Sequence, residues 1–276
     1  MRMHAAYITI AAHTFRCRTD SRQVRELLVR RFGRGAPEAD GAEEAACEPM
    51  RLVIHTGYGE PFAGYDVAVR RSARLVRYER RDYRISIDWT GGLTVIDVFD
   101  EFALRHALMN WYSAYIAAGA WGLLMHASCV VEDAEAQLFA GPSGAGKSTV
   151  ARLSQPRPVL ADEAAIVQPT DGGAMVYDSP FRSELEAPAV LQPPQRLGAI
   201  HLLRQSAEVR RERLARAAGM TELPGKVFYW AARPQDTARV LALTQQLVRR
   251  VPIYTLHFQK NDSFWEVIQD GRLHLA

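Results

Sequence analysis

The stretch Gly141-Pro142-Ser143-Gly144-Ala145-Gly146-Lys147-Ser148-Thr149 constrains the fold more than any other part of the chain. It satisfies the pattern G-x-x-x-x-G-K-[ST], with Gly141, Gly146, Lys147 and Ser148 at the fixed positions. An apolar run, Leu138-Phe139-Ala140, leads into it, and helix-forming residues lead out. Glycines let the backbone curl so that successive N–H groups converge on one anion, and the helix that follows adds its positive end. The pattern therefore predicts a loop for a nucleoside triphosphate. Lys147 is expected to reach the β- and γ-phosphates and the Ser148 hydroxyl to ligate Mg2+. Gly144 permits close backbone approach, and Thr149 is positioned to help cap the helix.

A triphosphate loop needs an acidic partner for its metal. Leu160-Ala161-Asp162-Glu163 ends the next apolar run. In parallel α/β sheets the carboxyl ends of neighbouring strands meet at the ligand crevice, so Asp162 is expected to face the phosphates. The plainer reading is an Asp-Glu pair that caps a turn.

The periodicity predicts a strand over 7–17, a helix over 23–32 and short strands over 51–55, 65–70, 75–79, 83–88 and 93–99. Residues 35–49, rich in Ala, Glu, Gly and Pro, read as a mobile loop. Together these make a smaller α+β domain, mostly antiparallel, over 1–99. Asp100 suits the N-cap of a long helix to about Gly119, with Phe102, Leu104, Leu108, Trp111, Tyr112, Tyr115 and Ile116 as its apolar face. This connecting helix, 100–121, precedes an α/β domain over 122–276. There the predicted strands are 123–132, 136–140, 158–161, 165–168, 174–177, 199–203 and 253–258. The predicted helices are 147–153, 207–218, 235–249 and 263–269. Tyr254 and Trp265 read as core.

The 276 residues are 48% apolar and 24% charged, which is ordinary globular usage. With 34 basic and 31 acidic residues the net charge is +3, a balance that does not call for a nucleic-acid partner. Basic residues gather over Arg70 to Arg84 with Tyr78 and Tyr83 among them. They read either as a solvated strand pair or as a face for RNA or peptide. Three cysteines without a CxxC pair point to a reducing cytoplasm. The N-terminal apolar run is short and broken, so no signal peptide is expected, and no transmembrane segment is foreseen.

The order Leu124-Met125-His126-Ala127-Ser128, the glycine-rich loop, then Leu160-Ala161-Asp162-Glu163 resembles the catalytic domain of the HPr serine kinase/phosphorylase family. It looks closer still to the stand-alone HPr-kinase-like proteins of peptide-modification and polysaccharide gene clusters. Ser179-Pro180-Phe181-Arg182-Ser183-Glu184, the closing 251–258 run and Phe264-Trp265 are similar to segments of those members. The resemblance implies a P-loop kinase domain of the HPr kinase/phosphoenolpyruvate carboxykinase-like type, using ATP and Mg2+. It also implies transfer to a hydroxyl, serine foremost, of a protein or peptide such as a ribosomally made precursor. Family members often form homo-oligomers. His126 falls on the family's active-site histidine, and Asp162 on an aspartate that serves magnesium or the attacking hydroxyl. Glu163 stands where a second aspartate is usual. The glycine-rich signature of members that phosphorylate HPr is not recognisable here. Arg182 is a candidate for the γ-phosphate or an acidic acceptor, with an ordinary surface role as the alternative. Lys226, in Pro224-Gly225-Lys226, is a lesser candidate cation. A small-molecule kinase and a non-catalytic ATP-sensing scaffold stand as alternative functions.

Overall fold

The computed structural model describes residues 3–33, 47–185 and 191–273, with no side-chain description beyond residue 270. The chain divides into two compact units. One is built from Met1–Tyr115 with Tyr229–Thr237, the other from Ile116–Pro188, Gln192–Phe228 and Ala238–Ala276.

The first unit is a seven-stranded sheet with two helices. Its strands are β1 (His4–Ile10), β2 (His13–Thr19), β3 (Arg51–Thr56), β4 (Ala68–Arg71), β5 (Leu75–Arg80), β6 (Tyr83–Asp88) and β7 (Leu93–Val98). They lie in the order β1-β2-β3-β7-β6-β5-β4. The pairs β2/β3 and β3/β7 are parallel and the rest antiparallel. Period-two alternation decides the buried face: Tyr83, Ile85 and Ile87 point in, while Arg84, Ser86 and Asp88 do not. Helix α1 (Arg22–Phe32) starts where the Ser21 hydroxyl accepts the Val24 N–H at 3.3 Å. Helix α2 (Glu101–Ala118) starts on Asp100, whose carboxylate accepts the Ala103 N–H at 2.8 Å, so the expected N-cap is present. Of the aromatic residues of α2 read as core, Trp111 and Tyr112 are, while Phe102 and Tyr115 are half-buried. Trp111 and Tyr112 are fully buried, and the Trp111 indole N–H donates to Thr94 Oγ1 at 3.0 Å.

Two expectations need correction here. The strand expected over 7–17 is a hairpin that turns at Ala11, with φ 53°. Alanine carries no turn signal, so the break was not visible in the sequence. The strand expected from Tyr65 starts only at Ala68. Of the 35–49 segment, residues 35–46 lie outside the described residues. Tyr78 and Tyr83 are buried, so they offer no stacking surface beside the arginines of 70–84.

The second unit holds an eight-stranded mixed sheet. Its strands are β8 (Leu123–Glu132), β9 (Glu135–Ala140), β10 (Val159–Ala161), β11 (Ala164–Thr170), β12 (Gly173–Tyr177), β13 (Gln195–Gln205), β14 (Arg210–Arg213) and β15 (Ile253–Phe258). The pairings β8/β9, β9/β13, β13/β12, β12/β11 and β11/β8 close a circuit, because the long β8 changes partners along its length. Helices α3 (Lys147–Leu153), α4 (Arg216–Glu222), α5 (Pro234–Arg250) and α6 (Phe264–Leu273) follow. The helix expected over 207–218 is absent. Residues 210–213 form β14, antiparallel to β15, and α4 starts only at Arg216. Ala, Glu and Arg favour helix locally, but pairing along the β15 edge overrides that preference. Tyr254 and Trp265 are buried, as expected. Among the described residues no helix is long and apolar enough to cross a membrane.

Candidate functional site

The glycine-rich loop joins β9 to α3. Gly144 and Gly146 sit at φ 77° and 107°, left-handed values that side chains other than glycine rarely adopt. Gly146 is also sterically confined: a Cβ there would lie 2.5 Å from the Phe258 ring. Phe258 belongs to a cluster with Val130, Phe139, Val150, Leu256, Phe264 and Trp265, against which Ala145 packs, so the loop rests on core. Gln205, at the end of β13, donates from Nε2 to the Gly144 carbonyl at 2.9 Å. Pro142, Ser143 and Gly144 are exposed. Gly146 is the N-cap of α3 and no side chain caps the helix, so Thr149 does not serve that role. The first amides of α3 therefore have no partner within the helix.

Lys147 is only 7% exposed, yet among the described residues no carboxylate lies within hydrogen-bonding distance of it. Its ammonium donates to the carbonyls of Gly141 at 3.1 Å and Pro142 at 3.0 Å. Burial lowers its pKa, the negative charge of Glu163 opposes that shift, and Lys226 adds to it. Ser148 and Thr149 are half-buried in the first turn of α3.

Strand β8 brings the remaining residues together. It lies antiparallel to both β9 and β10, on opposite edges, so those two strands run the same way without touching. Ala127 pairs with Ala140, and Cys129 with both Leu138 and Ala161. The Ala127 N–H donates to the Glu163 carbonyl at 3.2 Å, and His126 pairs with Ala164. The acidic pair and the start of the loop thus flank β8 at one level, separated by two strand spacings of about 4.8 Å each. The expected neighbouring parallel strands are not what aligns them; an intervening antiparallel strand is.

His126 sits at the centre. Burial first, then the positive charges of Lys147 and Lys226, push its pKa down to about 4, so it is neutral near pH 7. Phe228 packs on its ring at 4.9 Å. The segment after the 3-10 turn Pro224–Lys226 runs along the amino-terminal half of β8. There Val227 bridges Met125, and the Phe228 N–H donates to the Leu124 carbonyl at 2.8 Å. This docking carries Lys226 into the field of His126 and Lys147. Lys226 and Gln205 carry more of the site than the sequence indicated. The Gly-Lys after Pro224 was the legible signal for the first, and Gln205 had none beyond ending an apolar run.

The two carboxylates differ. Asp162 is 1% exposed. Its Oδ2 accepts the N–H groups of Glu184 and Leu185, both at 2.8 Å, while Oδ1 accepts that of Ser183 at 3.0 Å. Glu163 is half-buried, and its charge reaches Lys147. Arg182 is neither a surface residue nor directed at the loop. It is buried, bridging Asp178 at 2.8 Å and the carbonyls of Val159, Leu160 and Ser179.

The residues fit a triphosphate in two respects: an uncapped run of amides begins α3, and the Lys147 ammonium rests only on neutral carbonyls that phosphate oxygens would outcompete. Among the described residues no three His, Cys, Asp or Glu side chains form a self-sufficient metal centre. Magnesium held through a nucleotide would need only one or two protein ligands.

Fold and site together define a mixed α/β protein with two sheets, in which a glycine-rich strand-to-helix loop carries a buried lysine. The family model of the SynChlorMet cassette protein ScmC matches residues 100–273, more than half of the chain, and the chain belongs to that family. No curated protein matches it. Among solved structures, the chain is similar to the HPr(Ser) kinase/phosphatase from Coxiella burnetii, at 10% identity and a TM-score of 0.32, covering 55% of this chain and 97% of that one.

Proposed function

We propose that the chain is an ATP-dependent phosphotransferase whose acceptor is a hydroxyl, serine foremost, of a protein or peptide. The observation that carries this reading is Lys147, a buried cation with only loop carbonyls as hydrogen-bond partners, beneath an uncapped helix start. Burying an ammonium without an ion-paired partner is costly, so a fold that keeps one there is prepared for an anion.

Bound magnesium-ATP would supply the phosphoryl group. Lys147 would turn from the Gly141 and Pro142 carbonyls to phosphate oxygens, and the amides of 143–149 would hold the rest. Ser148 and Asp162 Oδ1, which keeps a lone pair beyond its bond to Ser183, would hold the metal. Glu163, in the field of Lys147, would take the acceptor's proton as its oxygen bonds to the γ-phosphorus and the bridge to the β-phosphate breaks. His126, neutral at pH 7, would orient the acceptor through a ring nitrogen. Lys226 would add positive charge on the acceptor side. Arg182 would support the segment that Asp162 binds. A family named for a cassette protein is in keeping with work beside other products of one gene cluster.

The test is label transfer from [γ-32P]ATP to serine-containing peptides, to small hydroxyl compounds and to no acceptor. Peptide labelling that Lys147→Ala abolishes is the expected result. Nucleotide binding with no transfer to any acceptor would overturn the reading in favour of a sensor.

A further inference from the structure

A second concave site lies in the same unit, away from the loop. A cavity of about 540 Å3 is lined by Arg213, Arg216, Arg249 and Arg250 over a floor that includes Val251 and Ile253. No acidic side chain lines it. Its size is that of a small-molecule site. Four arginines lining one hollow gather positive charge there, and the arrangement gains most from an anion that several of them share.

The arginines come from three places. Arg213 ends β14, Arg216 opens α4, and Arg249 and Arg250 close α5. Two of them have partners outside the cavity lining. The Arg213 guanidinium lies 5.6 Å from the Tyr254 ring centre, with its Nη1 3.5 Å from the Tyr254 hydroxyl. Arg250 donates to the Thr170 carbonyl and reaches Asp171 at 3.3 Å. Asp171 is fully exposed, so that pair leaves most of the cavity's charge uncompensated. Arg216 and Arg249 are exposed.

The cavity is separate from the glycine-rich loop. It opens at the Ile253 end of β15, whereas Phe258, at the other end of that strand, packs against Gly146. Five residue steps along a strand span about 17 Å, so one small anion cannot occupy both places.

We propose that this arginine-lined cavity is a second anion site, for a small molecule bearing more than one phosphate group. Planar guanidinium forks match phosphate oxygens in pairs, and four arginines around one hollow suit a ligand with adjacent phosphates. A single carboxylate would meet only one or two of the four.

Inorganic tripolyphosphate is the probe, titrated by calorimetry at fixed ionic strength. The parent protein should take up two equivalents, one at the loop and one at the cavity. Arg216→Ala with Arg249→Ala should lose one equivalent, or weaken it by about tenfold or more, since each charge-assisted contact is worth on the order of a factor of ten. The same variant should keep the ATP equivalent that Lys147→Ala weakens, the one at the loop. Arg216→Lys with Arg249→Lys should fall between, because charge is kept but the fork is lost. Both pairs are exposed, so unchanged melting curves without ligand confirm folding. Lys147→Ala should weaken the loop equivalent alone, which separates this site from the phosphotransferase reading. Uptake by the double-alanine variant equal to that of the parent, whatever the number of equivalents on the parent, would overturn the proposal.

Discussion

The buried cation of the first unit and the loop lysine of the second are held differently. In the first, Arg80 is 4% exposed in its side chain and sits on Asp82, itself wholly buried, through a bidentate pair at 2.6 and 2.9 Å. The ring of Tyr83 covers its guanidinium at 4.4 Å. That charge is paired within the protein. In the second unit, Arg182 is answered in the same way by Asp178 and main-chain carbonyls. Lys147 is not: it is equally buried, but its hydrogen bonds go to two neutral oxygens of its own loop. Fully paired burial fixes a structure, whereas burial on replaceable partners leaves a charge for a ligand.

The sharpest way to break this contrast is Lys147→Ala. Phosphoryl transfer should fall by about a thousandfold or more, since loop cations act on charge that develops in the transition state. The melting temperature should stay level or rise, because a costly buried ammonium is removed. A large loss of stability in that variant would make Lys147 a structural residue like Arg80. Asp82→Ala should do the opposite. Leaving the Arg80 charge buried without its partner should cost about 3–5 kcal/mol in a denaturant titration of the first unit.

Gly146→Ala sharpens the loop's side of the comparison. It forces a side chain into φ 107° and against Phe258, and should cost about 1–3 kcal/mol while abolishing ATP binding in a calorimetric titration. The carboxylates come next. Asp162→Asn places an amide group among three N–H donors and should destabilise by about 1–3 kcal/mol. Glu163→Gln should leave the melting curve nearly level while lowering kcat with ATP binding intact. Equal effects of the two changes on stability would remove the distinction drawn between them.

The smallest effect concerns His126. Its pKa falls from 6.5 when unfolded to about 4 in the fold, so the unfolded chain binds the extra proton first. That contribution to stability is complete above pH 6.5 and declines as pH falls from 6.5 towards 4. His126→Gln should flatten part of the decline in melting temperature over that window. His106, also lowered to about 4 by burial, should account for another share. A slope unchanged by His126→Gln would remove its buried, neutral state from the account.

Much of this was legible along the chain. The glycine-rich loop, the strand before it and the helix after it are local facts, because positive φ, a lysine and a helix start all fall within nine residues. The Asp100 cap and strands β6, β8 and β15 were equally readable, since alternation or continuous apolar runs declare them. The β14 segment was not, because its residues favour helix and only the β15 edge makes them a strand. Nor could sequence place Asp162 on the main chain of 183–185 or bury Arg182 against Asp178.

The sequence by itself determined that a glycine-rich turn with a lysine at its end follows β9, because backbone freedom and charge at consecutive residues need no distant partner. Only the tertiary structure decided which acid faces it and which lysine joins it. Those positions depend on β8 as a shared ruler between strands that never touch, and pairing between segments far apart along the chain leaves no periodic mark in either one.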